Sequence, residues 1–419
     1  MRYKPNPLLY AASRDFYSSF KLAVTMSSEV DYEVLSRSVA KAMERYPYFC
    51  VYPEKDGNRI WLRHNPNPVP VFWGDCCPVL GSDEVFGHLL AFGCKGRQIF
   101  LNASHYIADG MGIDPVLKTV LYLYVSELYG DEGLAVERIP MPESPVANEE
   151  YDYPFPDKPV ETDTQYMQKK VQCGAYELNS AEFDGGGLYA YHLHIPQKDM
   201  MKKANPSDGS PVSFLSVMLY RALCLIDGEL EKPVVAHVQH QYRAAMRAPQ
   251  SRHSMVSYIP VSLSAKIKDR DVEAQNTIVR GQVLLGSEVA TDVEAVNRLL
   301  EALPSGEGAS LAEKEESMRR FVEDSIRNKT FGISYVGRMD WCGLDKYVVD
   351  IHAYIGEKNT PNMLLIEVMT VGDDFTLNFM QSGKGDRYVK AFAEQLQGFG
   401  IPVSFVGESR YTLCDTQIP

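Results

Sequence analysis

Ile99-Phe100-Leu101-Asn102-Ala103-Ser104-His105-Tyr106-Ile107-Ala108-Asp109-Gly110-Met111-Gly112-Ile113-Asp114-Pro115 passes from an apolar strand, through a tight turn, into an amphipathic helix. Gln98 to Ala103 has strand length and follows Gly96. Beyond the turn, Ile113, Val116, Leu117, Val120, Leu121, Tyr124, Val125 and Leu128 recur at helical spacing and share one face. Asp114 is expected to cap this helix, with Pro115 at its first position, where a missing N–H is tolerated. Gly110 and Gly112 are expected to supply the positive φ of a tight turn. His105 then projects from a rigid strand-to-helix turn with Asp109 close by. An imidazole beside a fixed carboxylate is chemistry for activating a hydroxyl or an amine.

The 419 residues exceed one ordinary core and imply two or three domains. With 45% hydrophobic and 23% charged residues, the composition is that of a soluble globular protein. A net charge of -13 argues against a nucleic-acid partner, which requires a basic face. The first residues lack an apolar run of signal-peptide length, and the greasiest stretch, Phe214 to Ile226, is interrupted by Arg221. No membrane span and a cytoplasmic location are therefore expected. Of the eight cysteines only Cys76 and Cys77 are close in sequence, so reduced thiols are expected in place of disulfides or a CxxC zinc site.

Working outward, the N-terminal part reads as a strand near Phe20 to Met26, a helix opened by Asp31, and strands Phe49 to Tyr52 and Arg59 to Arg63 around the turn Lys55-Asp56-Gly57-Asn58. A helix from Asp83 to Phe92 is expected to lead into the strand that delivers His105. Between Gly130 and Asp163, Pro140, Pro142, Pro145, Pro154, Pro156 and Pro159 mark an extended connection between domains 1–165 and 166–419. The second domain reads as strands at Gly187 to Ile195, Pro233 to His240, Val256 to Leu263, Thr330 to Val336, Tyr347 to Tyr354, Met363 to Val371, Phe375 to Gln381 and Pro402 to Val406. Its helices fall at Val212 to Ile226 and Asp386 to Gln397, with largely solvent-facing helices between Asp269 and Asn328. Two α/β sandwiches with a cleft between them is the expected architecture.

These residues resemble the chloramphenicol acetyltransferase-like superfamily, which includes alcohol O-acetyltransferases and the condensation domains of peptide synthetases. Its HHxxxDG signature is matched by Ser104-His105-Tyr106-Ile107-Ala108-Asp109-Gly110, with serine in place of the first histidine. The stretch Arg45-Tyr46-Pro47-Tyr48-Phe49 resembles the family's ryPxF segment, Val234 to Arg243 its strand ending in arginine, and Phe331 to Arg338 its SNxG strand. The DFGWG motif of condensation domains is missing, since Val336-Gly337-Arg338-Met339-Asp340-Trp341 does not fit it. The similarity covers most of the chain and is weak outside the histidine motif.

The resemblance implies two chloramphenicol acetyltransferase-like α/β domains with the active site in a channel between them. It also implies acyl transfer from a thioester, acyl-CoA or an acyl-phosphopantetheine arm, to an alcohol or amine, with no permanently bound cofactor and His105 as the catalytic base. Asp109 is implied to be a structural carboxylate paired with an arginine, Arg243 first and Arg247 second. Ser334 and Tyr335 are candidate donors to the oxyanion of the intermediate. Gly110 serves either close approach of the donor or only the turn. Arg243, Arg247, Arg252 and His253 follow a strand and either meet the phosphates of the donor or form a solvated loop around one ion pair. A separate carrier protein as acyl donor, and a binding module that keeps the fold without turnover, are the alternatives.

His192 and His194 alternate on a strand and share a face, a spacing that metal ligands use. With no third ligand evident in the sequence, solvent-exposed strand histidines are expected there, and no metal.

Overall fold

The computed structural model describes residues 2–13, 17–75, 78–162, 174–179, 187–228, 230–304, 308–326, 328–357 and 363–411. Cys76, Cys77 and the expected domain division at 165/166 lie outside the described residues. In chain order the first part contains β1 (Arg2–Tyr3), β2 (Ser18–Met26), α1 (Tyr32–Met43), β3 (Val51–Asp56), β4 (Arg59–His64), β5 (Val71–Trp73), β6 (Leu90–Lys95), β7 (Gln98–Ser104) and α2 (Gly110–Tyr129). The connection that follows is irregular, with single turns at Val136–Arg138 and Asn148–Glu150. Then come β8 (Leu188–Pro196), α3 (Gln197–Ala204), α4 (Pro211–Asp227), β9 (Val234–Gln241), β10 (Val256–Leu263), α5 (Val272–Gly286), α6 (Val289–Ala302) and α7 (Leu311–Ile326). The chain closes with β11 (Phe331–Tyr335), β12 (Val348–Glu357), β13 (Leu364–Val371), β14 (Asp374–Ser382), α8 (Arg387–Gly398) and β15 (Ser404–Tyr411).

Among the described residues these strands form a five-stranded sheet, β12-β2-β7-β6-β5, a seven-stranded sheet, β10-β9-β11-β13-β14-β8-β15, and a small sheet, β1-β4-β3. Each large sheet has its own core. Leu22, Val24, Ile99 and Leu101 pack with Leu35 of α1 and Val116, Leu117 and Val120 of α2. Ile333, Ile366, Leu377 and Phe379 pack with Phe214, Met218 and Leu219 of α4 and Phe392 of α8. No single described helix is long and apolar enough to cross a membrane; α3 and α4 reach that length only as a pair bent by 89°. In α4, Phe214 to Tyr220 are all buried in the second core.

β12 departs from the expected linear division. It lies late in the chain yet pairs with β2 along its length, from Val348↔Met26 to Glu357↔Ser18, and so becomes the edge of the first sheet. An edge strand leaves carbonyls unpaired. Two of them, on Ile351 and Ala353, accept from Thr376 Oγ1 at 2.8 Å and Asn378 Nδ2 at 2.7 Å, on β14 of the other sheet. The edge of one sheet is thereby seated on the face of the other.

The expected helix from Asp83 to Phe92 is corrected. Asp83–Val85 is a single turn and not the start of a helix, because Phe86 and Gly87 take left-handed φ of 53° and 77°. Leu90–Lys95 is instead a strand, paired with β7, and Leu90 to Cys94 are all buried. The helices between Asp269 and Asn328 also contribute to a core: Val296 and Leu299 of α6 and Met318 of α7 are buried in the first one.

Candidate active site

His105 follows the last residue of β7, and its amide donates to the Ser18 carbonyl at 2.9 Å, extending the pairing of β2 with β7. The ring stands edge-on to Phe20, with centroids 5.2 Å apart, and is partly buried. Its Nδ1 lies 3.3 Å from the hydroxyl of Ser254. Ser254 is buried, and its carbonyl accepts from Asn6 Nδ2 at 2.8 Å, which fixes the segment against the N-terminal turn. The second half of the chain thus holds one ring nitrogen of a residue carried by the first half. Nε2 accepts or donates no hydrogen bond among the described residues. Ser104, in the frame of the family's first histidine, is buried, and its hydroxyl accepts from the Tyr106 amide at 3.4 Å.

Asp109, and not Asp114, caps α2: its Oδ1 accepts from the Gly112 amide at 2.8 Å, and the helix starts at Gly110. Pro115 consequently lies inside the helix, where its missing N–H forfeits a bond. The same carboxylate receives Arg243 Nη2 on Oδ1 at 2.7 Å, Arg243 Nη1 on Oδ2 at 2.8 Å and the Met255 amide on Oδ2 at 2.9 Å. Arg243 spends its other donors on the carbonyls of Ser251 and His253, at 3.0 and 2.9 Å. Both side chains are buried, at 3% and 4% exposure. A charge pair taken this far from water is tolerable because nearly every lone pair and N–H is used.

Neither Gly110 nor Gly112 has positive φ. Their requirement is for close approach. A Cβ on Gly112 would sit 2.3 Å from the Arg252 carbonyl oxygen, and one on Gly110 would sit 3.2 Å from Val336 Cγ1. The start of α2 is therefore pressed between the segment before β10 and the end of β11.

Ser334 and Tyr335 are consecutive on β11 and point to opposite faces. Ser334 is buried in a polar row that the register carries through Glu367 and Asn378 to His192, on the face turned toward β12. Tyr335 packs edge-on against Phe375 of the second core, at 5.8 Å, and does not join that row. Ile355, the cross-strand neighbour of Phe20, lines a small cavity with His237, Gln239, Gly332 and Leu365.

The arginines separate. Arg247 is exposed, on a turn with φ of 52°. Arg252 is turned inward, its side chain 17% exposed and its Nε 3.8 Å from Glu150. Glu150 also receives both terminal nitrogens of Arg45, at 3.1 and 2.6 Å, and the Tyr48 hydroxyl at 2.6 Å. Burial pushes the Glu150 carboxyl up, but the hydrogen bonds from Arg45 and Tyr48 outweigh it and hold it below its ordinary value. Burial and the Glu150 carboxylate together drive the Tyr48 hydroxyl strongly upward. This gives the Arg45-Tyr46-Pro47-Tyr48-Phe49 stretch a physical role: it anchors the connection between the two halves. The sequence signal was present in that stretch, but its partner Glu150 lies 105 residues away from Arg45 and carried none.

His192 and His194 do share a face, but they are not solvent-exposed strand histidines. His192 is 7% exposed and His194 is partly buried, because β12 lies over them.

No protein-family model matches the chain, and no curated protein matches it significantly. Solved structures do. TRI101 of F. graminearum, complexed with coenzyme A and T-2 mycotoxin, superposes with a TM-score of 0.61 at 11% identity, over 97% of this chain and 100% of that one. Polyketide synthase associated protein 5 from Mycobacterium tuberculosis gives 0.59 at 11% identity, over 94% and 97%. The condensation domain from Monacolin K polyketide synthase MokA gives 0.54 at 11% identity, over 91% and 92%. At these identities the likeness speaks to the fold, and it spans both halves of the chain: this protein has the two-domain chloramphenicol acetyltransferase-like α/β fold.

Proposed function

We propose that this protein is an acyltransferase that moves an acyl group from a thioester, with acyl-CoA as donor, to an alcohol or amine. The observation that carries the reading is the placement of His105. One ring nitrogen is held by Ser254 from the other half of the chain, and the opposite nitrogen has no hydrogen-bond partner among the described residues. In this mechanism Nε2 takes the proton of the acceptor hydroxyl or amine as its oxygen or nitrogen attacks the thioester carbonyl. The tetrahedral intermediate then collapses, the C–S bond breaks, and the departing thiolate receives the proton from the imidazolium. Ser334 is the donor we assign to the intermediate's oxyanion, since it faces the seam and Tyr335 does not.

Asp109 has a scaffold role in this reading, because all four of its bonds are to frame atoms and none is to the imidazole. Gly110 and Gly112 serve close packing of that frame. Arg247, which is exposed, is the phosphate contact we assign; the Arg252 side chain is turned inward, its Nε 3.8 Å from Glu150. The likeness to TRI101 solved with coenzyme A supports a coenzyme A thioester as donor. The likeness to a condensation domain supports the second reading, a donor presented by a separate carrier protein.

Thiol release from a panel of acyl-CoAs, with alcohols and amines as acceptors, tests the proposal. Turnover that His105→Ala abolishes is the expected result. Turnover only with acyl-carrier protein selects the second reading, and none with either donor leaves the non-catalytic binding module.

A further inference from the structure

A second cluster of titratable side chains lies on the seam between the sheets. His352 pairs with Ala23 on β2, three positions from Phe20, the ring against His105, so the cluster is offset by about 10 Å along the strand. Asp350 Oδ2 is 2.9 Å from His194 Nε2 and 3.1 Å from His352 Nε2. The ligand atoms of the three residues all fall within 4.8 Å of one another. β8 of the seven-stranded sheet supplies His194, and β12 at the edge of the five-stranded sheet supplies the other two.

We propose that His194, Asp350 and His352 form a site for a divalent transition metal of the zinc class, which ties the two sheets together. Two imidazole nitrogens and one carboxylate oxygen are a donor set that zinc takes, with water completing the tetrahedron. Zinc–ligand bonds of about 2.0–2.2 Å place tetrahedral donors roughly 3.3 Å apart. The separations of Asp350 Oδ2 from His194 Nε2 and from His352 Nε2 need to open by only a few tenths of an ångström. Asp350 Oδ1 accepts from the Ile351 amide at 2.8 Å, which orients the carboxylate and leaves Oδ2 for the metal.

The surroundings fit the same purpose. The side chains of His194, Asp350 and His352 are 23%, 14% and 6% exposed, so the donors are largely stripped of water while His194 leaves an approach from solvent. Asp374 Oδ2 lies 3.9 Å from His194 Nδ1, beyond hydrogen-bond length, where its charge favours a proton on that nitrogen. His192 is not a ligand in this arrangement: its Nε2 is engaged by the Ser409 hydroxyl at 3.1 Å. Metal binding requires His194 and His352 to carry their remaining proton on Nδ1 and to release Nε2.

The test uses the full chain without a histidine tag, stripped with chelator and titrated with Zn²⁺ alone and, separately, with Co²⁺. One equivalent of Zn²⁺ bound, a rise in Tm of about 2–4 °C or more, and visible d–d bands of imidazole-bound Co²⁺ are the expected results. His194→Gln and Asp350→Asn should each weaken Zn²⁺ binding at least about tenfold, whereas His105→Ala should leave it unchanged. The proposal is overturned if Co²⁺ gives no such bands, if His194→Gln binds Zn²⁺ as tightly as the unaltered chain, or if His105→Ala removes the site. The cobalt spectrum needs no variant, so a misfolded mutant does not rescue the idea, and loss of acyl transfer elsewhere does not touch it.

Discussion

Asp109 and Arg243, 134 residues apart, meet through two parallel hydrogen bonds of 2.7 and 2.8 Å in a site nearly closed to water. The pair joins the N-terminus of α2 in the first core to the end of β9 in the second sheet. It therefore fixes the position of the His105 turn relative to the rest of the chain. Removing one partner strands a buried charge, so Arg243→Ala and Asp109→Ala should each destabilise by about 3–5 kcal/mol. The double variant should lose clearly less than the sum, and Arg243→Lys should fail to restore the pair because an ammonium lacks the planar fork. Urea unfolding of these four variants beside the unaltered chain measures this, and strictly additive losses would contradict it.

His105→Ala should lower kcat by about 10²–10⁴-fold and leave Tm unchanged, since the ring makes one long side-chain bond and a single aromatic contact. Ser254→Ala should give a smaller loss, because the hydroxyl orients the ring and does not touch substrate in the proposed mechanism. Rates and melting curves for both variants decide the matter. A fall in Tm that tracks the fall in rate would assign His105 to structure.

Gly112→Ala tests the close approach at the start of α2. The added methyl would sit 2.3 Å from a backbone oxygen of Arg252, which cannot swing aside as a side-chain tip could. A loss of about 1–3 kcal/mol is expected from this overpacking. Gly110→Ala meets only the Val336 methyl at 3.2 Å and should be milder. Equal, negligible effects in thermal unfolding would remove the packing argument.

Acid should destabilise the fold from about pH 6.5 downward. Burial lowers the His237 imidazole to about 3, helped by nearby Lys329, and burial also lowers His253 and His88. Above the unfolded value both states are neutral and no difference arises. Between about 6.5 and the folded value the unfolded chain binds a proton that the folded chain refuses, so stability falls as pH falls. His237→Gln should reduce that slope by about 1.4 kcal/mol per pH unit, measured by urea unfolding at pH 7, 6 and 5. An unchanged slope would mean that the ring is protonated in the native state.

Much of the local structure was legible in the amino-acid order. Alternating and helical spacing located β2, β7, α1, α2, α4 and the closing strands, because burial of one face leaves a period in the sequence. Asp31 could be read as a cap, and its side chain does accept from the Val34 amide. The choice between Asp109 and Asp114 could not be read, since both precede plausible first turns. It was decided by Arg243 and the Met255 amide, far along the chain. Leu89 to Phe92 looked helical because an apolar run buried on both faces has no period of its own, and only pairing with β7 made it a strand.

The sequence by itself determined the strand, turn and helix that carry His105, together with the two-core α/β character of the chain. Tertiary structure decided which strands share a sheet, that Ser254 stands beside His105, and that Asp350 and His352 come to lie over His194. The physical reason is the range of the forces that leave a trace. Periodicity records that a face is buried, but the partner that buries it is chosen by contacts between residues more than a hundred positions apart.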